Sequence, residues 1–498
     1  MDRVWLYISL AVVLWIGKTV YKALVSPLRR IPGPIYTNFT RLPLKLSILA
    51  GQRIYFIHSL HLQYGPIVRI APTEVSIFSL PEFKEIHRVG SPFLKSKWYE
   101  DFVMGDTVGV FNMRDPKQHA KRRRFFARAF SKSVLRSEWE GVVREKVRRV
   151  VARMKGEMIQ RYGNGDGEGR CDVLKWWTFL ATDVAGHLMF GEDFGMVELG
   201  VKNEYIQVLE STMKGSGINA ELPLLGFIAR HLPISALQPM FRANEYLTTY
   251  GRRAVKNAKA NSASSRNIFS GMIYASEKSS ETGDDKLKDL DVATEAGNLI
   301  VAGSDTTAVT LTYLIWSVLS RPSLQRDLES EVSALEAEYD DAKLETLPLL
   351  NAVIKETLRL YGAAPGSLPR SVPEGGSTLG GYSIPQGVTV STQSWTIHRD
   401  ENIFRHPEDF DVSRWMKTGD NTDPGASSPA NLAFSPFGAG ARVCLGIHLA
   451  EMELRLAAAE FFRECAGARL AWGTTEETMR PENYFLIAPV GHRCEVTL

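Results

Sequence analysis

The sequence predicts a mainly α-helical protein with small β-sheets, built as a single large domain behind an N-terminal transmembrane helix. Three observations carry this. Apolar side chains recur at helical spacing over 134–159, 173–190, 292–320, 323–336, 347–361 and 446–465. Strand signals are few and short, the clearest being IVRIAPTEVSIFS (67–79), with a central proline turn, and GGYSIPQGVTVSTQ (380–393). The composition is globular: of 498 residues 44% are hydrophobic and 23% charged, which excludes wholesale disorder.

The charge balance narrows the partners. With 59 basic against 56 acidic side chains the formal charge is +3, which excludes a nucleic-acid affinity spread over the whole surface, so no nucleic-acid partner is expected. Cys171, Cys444, Cys465 and Cys494 show no C-x-x-C spacing, hence neither a dense disulfide framework nor a structural zinc site. A reducing compartment follows.

The first element is a membrane signal. Val4 to Gly17 carries no charge, and although a span needs about 20 residues, Lys18 and Lys22 can snorkel their ammonium groups to the interface. The window 4–25 then suffices. A secretory signal would put its charge first; here Lys18, Lys22, Arg29 and Arg30 follow the apolar run and hold the next segment in the cytosol. The bland alternative is a soluble core helix. Residues 1–30 therefore read as an anchor, Ile31 to Pro34 (IPGP) as a proline hinge, and 35–498 as one catalytic domain. The polar stretches 163–169, 261–286 and 417–429 read as surface loops, none of which separates two self-sufficient cores.

The chemistry is concentrated in FSPFGAGARVCLGIHLAEMELRLAAAEFF, where Phe437, Gly440, Arg442, Cys444 and Gly446 form F-x-x-G-x-R-x-C-x-G ahead of an amphipathic helix. Its glycines permit tight turns and close approach to a flat partner, and the helix aims its positive end at Cys444, favouring a thiolate. A lone cysteine in a glycine-rich turn is more often just buried. Five fixed positions within ten residues, however, match by chance in such a chain with a probability on the order of one in ten thousand.

This motif resembles the haem-binding loop of the cytochrome P-450 monooxygenases, and further likeness covers nearly the whole chain. The resemblance implies a single large cytochrome P-450-like haem domain. It makes Cys444 the axial thiolate and sole metal ligand of haem b, sets Phe437 beside it, and pairs Arg442 with a propionate. Arg370 in LPRSVP, and His119 with Arg123 in HAKRRRFF, match further propionate-binding positions, His119 standing where the family usually has Trp.

Between Ala296 and Ser320 Asp305 is the only charge, and Pro322 ends the run. A second transmembrane helix is one reading; its Gly, Asn, Ser, Asp and Thr residues favour a buried central helix instead. AGSDTT (302–307) resembles the family's oxygen-activation motif. A mid-helix threonine can bond a carbonyl four residues back and loosen the ladder, or Ser and Thr can simply satisfy themselves there. By resemblance, Thr306 helps deliver protons that Asp305 relays from solvent.

In KETLRL, Glu356 and Arg359 lie three apart on one helix face. Other E-x-x-R pairs, Glu145 with Arg148 and Glu460 with Arg463, read as solvated. FDVSRW (410–415) resembles the family's third-partner motif, making Arg414 the closure of a Glu356, Arg359, Arg414 network, though Val412 and Ser413 depart from the usual pattern. The KRRR run from Lys121 to Arg124, with Lys117 and Arg128 nearby, reads as a solvated face, a nuclear signal or a docking patch. The resemblance favours docking of an NADPH-dependent flavoprotein reductase.

The function implied is a membrane-anchored monooxygenase of the endoplasmic reticulum, single-pass, with its catalytic domain in the cytosol. It would use O2 and NADPH-derived electrons to insert one oxygen atom into an apolar small-molecule substrate. Oxygen-independent isomerases or dehydratases are one alternative, disfavoured by Asp305 and Thr306; a haem sensor or electron carrier is another. Pocket walls are expected from about 98–112 and 205–250, including Trp98, Tyr99, Phe102, Leu222, Leu224, Leu225, Phe227 and Phe241, which say only that the substrate is apolar. The likeness to fungal microsomal members points to a polyketide or terpenoid.

Overall fold

The computed structural model describes residues 2–103, 108–160, 169–201, 215–232, 252, 267–270, 272, 287–416 and 428–498. The expected loops over 163–168 and 417–427, most of 261–286, and most of 205–250 with Phe241 lie outside them.

Helix α1 (Asp2–Val25) exposes its apolar side chains along its length, Trp5 and Leu14 by more than half. The chain then docks. Leu28 and Ile31 are buried, Arg69 reaches back to the Leu28 carbonyl at 2.7 Å, and a Cβ on Gly33 would lie 2.5 Å from the Arg69 carbonyl oxygen. The Ile31 to Pro34 run is thus seated on the body.

Helix α2 (Arg53–Tyr64) leads into β1 (Ile67–Ala71) and β2 (Glu74–Ile77), the alternating pair expected around the proline turn. β3 (Leu94–Lys95), and much later β4 (Arg370–Ser371) and β5 (Thr389–Ser391), complete a five-stranded sheet ordered β1-β2-β5-β4-β3. β5 runs parallel to β2 with Val390 opposite Val75, and β3 pairs antiparallel with β4 so that Lys95 stands opposite Arg370.

The helical body follows the apolar periodicity closely. α3 (Trp98–Phe102) and α4 (Pro116–Ala127) come first, α4 opening on Pro116 with the Asp115 carboxylate accepting the Gln118 N–H at 2.8 Å. The helical run expected from 134 begins at Lys132, passes through a wider π-type turn over Leu135–Trp139 and continues as α5 (Glu140–Ile159). α6 (Val173–Phe190), α7 (Asp289–Leu319), α8 (Pro322–Ser333), α9 (Pro348–Tyr361) and α10 (Ile447–Glu464) match their expected spans within a few residues. α7 packs along α6 and touches α9 and α10, so it is the axis of the core. Both α1 and α7 are long and apolar enough to cross a membrane, but the apolar window of α7 is 67% buried in the body against 6% for α1. α7 is the buried central helix.

Candidate active site

Cys444 lies between a short turn (Gly440–Arg442) and the start of α10. Its N–H donates to the Phe437 carbonyl at 2.9 Å, closing a loop in which Gly438 and Gly440 take positive φ. At Gly440 a Cβ would lie 1.8 Å from the His87 carbonyl oxygen, so the loop tolerates no side chain there. The sulfur accepts the Gly446 N–H and sits in the field of Arg123. Unlike the other three cysteines it is solvent-accessible, although protein surrounds it closely. The Gly446 N–H and Arg123 pull the thiol down, but burial outweighs them and pushes it up.

Beside this loop the structure gathers cations. Arg123 donates to the Val443 carbonyl at 2.8 Å, and Arg442 to the Met113 and Arg114 carbonyls at 2.7 and 3.0 Å. Arg370, at the start of β4, bonds the Tyr99 hydroxyl at 3.1 Å. Its strand partner Lys95 was not singled out in the sequence; it is buried, bonds the Phe111 carbonyl and stands 4.1 Å from the Tyr99 ring centre. Burial and each other's charge push these groups down: Arg442 to about 10 and His119 to about 3, with Lys95 well below the usual lysine range. Their hydrogen bonds end on carbonyls and a phenol, with no carboxylate among the described residues. Buried like charges facing each other call for an anion.

The middle of α7 packs against α10, the helix into which the loop leads. The Thr306 hydroxyl donates to the Ala302 carbonyl at 2.6 Å, as the motif suggests, and Asp305 is half-buried beside it. Ser304, Thr310 and Thr312 make the same backward bond, so the threonine run does satisfy itself, and the helix continues without a break. Thr307 instead turns to Glu453 on α10 at 3.0 Å.

Comparison with known proteins decides what this arrangement is. The profile of the family named Cytochrome P450 matches residues 32–490. The chain belongs to the cytochrome P450 family. It is 43% identical over 494 residues to the cytochrome P450 monooxygenase stcB of Emericella nidulans, covering 97% of this chain and 91% of that protein. It is 34% identical over 391 residues to methylphloroacetophenone oxidase of Cladonia uncialis, covering 77% and 84%. A crystal structure of the cytochrome P450DA heme domain shares the fold, with a TM-score of 0.74 at 16% identity over 94% of this chain and 97% of that one. The chain is accordingly an oxidoreductase of the monooxygenase class, and its family implies a haem-thiolate cofactor, O2 and electrons from a reductase. The residues present fit that group: one accessible sulfur, glycines at positive φ beside it, and buried cations lacking a carboxylate, as two propionates require.

In this P450 the Glu356 network forms as expected. Arg359 donates twice to the Glu356 carboxylate at 2.9 and 2.7 Å and Arg414 approaches it at 3.3 Å, with Glu356 and Arg359 fully buried. Trp415, which the motif did not flag as a partner, adds its indole N–H at 2.8 Å. The solvated E-x-x-R pairs are not pairs. Glu145 meets Arg149, Arg148 reaches Glu338, Glu460 accepts the Tyr339 hydroxyl at 2.5 Å, and Arg463 donates to the Glu336 carbonyl.

The structure divides the basic run. The basic run is not one surface: Arg122 is 12% exposed and bridges to Asp291 and Glu295 of α7, and Arg123 faces the cysteine loop. Of the four only Arg124 is exposed rather than half-buried, with Lys117 and Arg128 on the same helix face. Leu224, Leu225 and Phe227, on the short helix Pro223–His231, are exposed among the described residues. Trp98, Tyr99 and Phe102 do converge, joined by Phe111 and Phe485 at ring-centre distances of 4.6 to 5.9 Å. Phe485 arrives on a hairpin (Pro481–Asn483 with Ile487–Pro489) far along the chain, which apolar periodicity alone does not reveal.

Proposed function

We propose that this P450 hydroxylates an aromatic polyketide in fungal secondary metabolism, with haem b as cofactor and electrons from an NADPH-dependent flavoprotein reductase. The observation that carries the reading is the accessible Cys444 sulfur at the head of α10 beside buried, carboxylate-free cations. When bound, the haem supplies the iron at which dioxygen is activated. Cys444, steadied by the Gly446 N–H, would hold the iron through its sulfur, and Phe437 closes the loop through its carbonyl. Arg370, Arg442, Lys95, Arg123 and His119 would hold the propionates. Thr306 presents a hydroxyl oriented by the Ala302 carbonyl and Asp305 passes protons toward it, while Glu356, Arg359 and Arg414 brace the frame.

The aromatic walls of Trp98, Phe102, Phe111 and Phe485 favour a flat aromatic substrate over a terpenoid, and the likeness to a methylphloroacetophenone oxidase supports the same class. Residues 4–25 serve as a single-pass anchor in the endoplasmic reticulum membrane, with 35–498 facing the cytosol as the catalytic domain. The exposed apolar length of α1 and the cations after it support contact with lipid.

The test is the absorption spectrum of the reduced protein with carbon monoxide, for wild type and Cys444→Ser. A strongly red-shifted carbonyl band that the variant loses is the expected result. A histidine-type band in wild type, or failure to retain haem, overturns the reading.

A further inference from the structure

Helix α7 carries a buried carboxylate for which the reading above has no use. Glu295 is fully buried where three elements meet. Its Oε1 accepts the Val110 N–H at 2.8 Å and Arg122 Nη1, from α4, at 3.0 Å; Arg122 extends to Asp291 at 3.1 Å. Asp291 is 31% exposed, so this edge of the cluster meets solvent. The inner edge is different. Among the described residues Glu295 Oε2 has no partner, and neither has the buried Nδ2 of Asn298, one turn on. Both converge on Gly109, where a Cβ would lie 2.3 Å from Asn298 Nδ2 and 3.2 Å from Glu295 Oε2. Gly109 packs too closely for water between it and these atoms, so two buried polar atoms without a side-chain partner call for water on their other sides.

From that point the partly accessible positions of α7 continue as one face: Asn298, then Ala302 and Gly303, then Asp305 and Thr306. The rise is about 4.5 Å from Glu295 to Asn298 and about 6 Å from Asn298 to Ala302, steps that one or two waters bridge. The Ala302 carbonyl already holds the Thr306 hydroxyl.

We propose that Glu295 is a proton-relay residue, feeding Thr306 through waters ordered by Asn298 along α7 and refilled from solvent at the Arg122 and Asp291 edge. The inference rests on the monooxygenase reading. In each cycle the Glu295 carboxyl releases its proton inward, remains as a carboxylate paired with Arg122, and regains a proton from bulk water. The charged groups facing it are Arg122 from α4 and Asp291 on its own helix; the segment 108–112 brings none. Burial, largest among the influences, pushes its carboxyl up to about 7 against the pull of Arg122, so both forms are populated at neutral pH.

The experiment compares full-length wild type, Glu295→Gln and Gly109→Ala, each first shown to give the carbon monoxide signature. NADPH oxidation with a reductase, without added substrate, is followed from pH 6 to 8.5, and the carboxyl stretch is followed by infrared spectroscopy over the same range. The wild-type rate is expected to fall as pH rises through about 7. Glu295→Gln should lose that inflection and run ~10-fold slower. Gly109→Ala, which displaces Asn298 and keeps the carboxyl, should be slowed while retaining the infrared band that Glu295→Gln lacks. Equal pH profiles in wild type and Glu295→Gln, or no carboxyl band titrating in the neutral range, overturn the relay alone. Absence of the carbon monoxide signature in wild type overturns the monooxygenase reading and the relay with it.

Discussion

Lys95 and Arg370 stand directly opposite each other on the antiparallel strands β3 and β4, both buried. Like charges at facing sheet positions cost roughly 0.2–1 kcal/mol each way they are arranged, and burial makes the pair dearer. The pair is stable only with an anion between or beside its members. Replacement of Lys95 by Met should therefore raise the melting temperature of the haem-free protein while making haem dissociate faster. Calorimetry of the haem-free form, together with haem transfer to apomyoglobin, checks both signs. A variant that loses stability without faster haem loss would assign Lys95 a packing role only.

Glu453 is the second buried charge with a measurable consequence. Burial pushes its carboxyl up to about 8, opposed by the Thr307 hydroxyl. The folded state then keeps a proton that the unfolded chain releases near the ordinary value of 4.5. The contribution is intact below that value, declines as pH rises toward about 8, and is flat beyond. Glu453→Gln lacks this term, so its stability relative to wild type should grow between pH 5 and 8. Urea midpoints at the two pH values measure it; a constant difference would show that Glu453 is ionised throughout.

The Glu356 carboxylate accepts from Arg359, Arg414 and Trp415. Removing Glu356 leaves the fully buried Arg359 uncompensated, a loss of roughly 3–5 kcal/mol. Trp415→Phe removes one donor from a carboxylate that keeps two arginines and should cost about 1–3 kcal/mol. Denaturant titration of haem-loaded protein should rank Glu356→Ala below Trp415→Phe, and both below wild type. The reverse order would mean that the indole packs the site more than it bonds it.

Reductase docking, if it uses α4, must use the face that is free. Arg124→Glu should raise the reductase concentration needed for half-maximal NADPH oxidation several-fold at low salt, an effect that shrinks as salt is added. Arg122→Glu should act differently, because Arg122 neutralises Asp291 and Glu295 inside the fold. Its mark is reduced stability at any ionic strength. Equal salt-dependent effects of the two substitutions would contradict the separation.

Much of this P450 was legible from residues alone, wherever the signal is local. The periodicity of α6 and α9 marks their limits because a helix must bury one stripe whatever it packs against. The spacing around Cys444 is recognisable because a tight loop leading into a helix needs glycine at set positions, as the positive φ of Gly440 illustrates. The helix expected from 134 is present from Lys132 on, and only the π-type turn over Leu135–Trp139, which shifts the register, leaves no mark in the apolar spacing.

The sequence by itself determined the mainly helical class, the apolar N-terminal helix, the cysteine loop and the partners Glu356, Arg359 and Arg414, since each rests on residues whose spacing is local or whose pattern is distinctive. Only the tertiary structure decided that Lys95 faces Arg370, that Trp415 completes the Glu356 site, that Arg122 turns inward to Glu295, and that burial rather than charge rules the Cys444 thiol. The physical reason is common to all four. Desolvation and pairing depend on what lies across the gap between elements, and strand register and helix rotation set that gap after the local pattern has done its part.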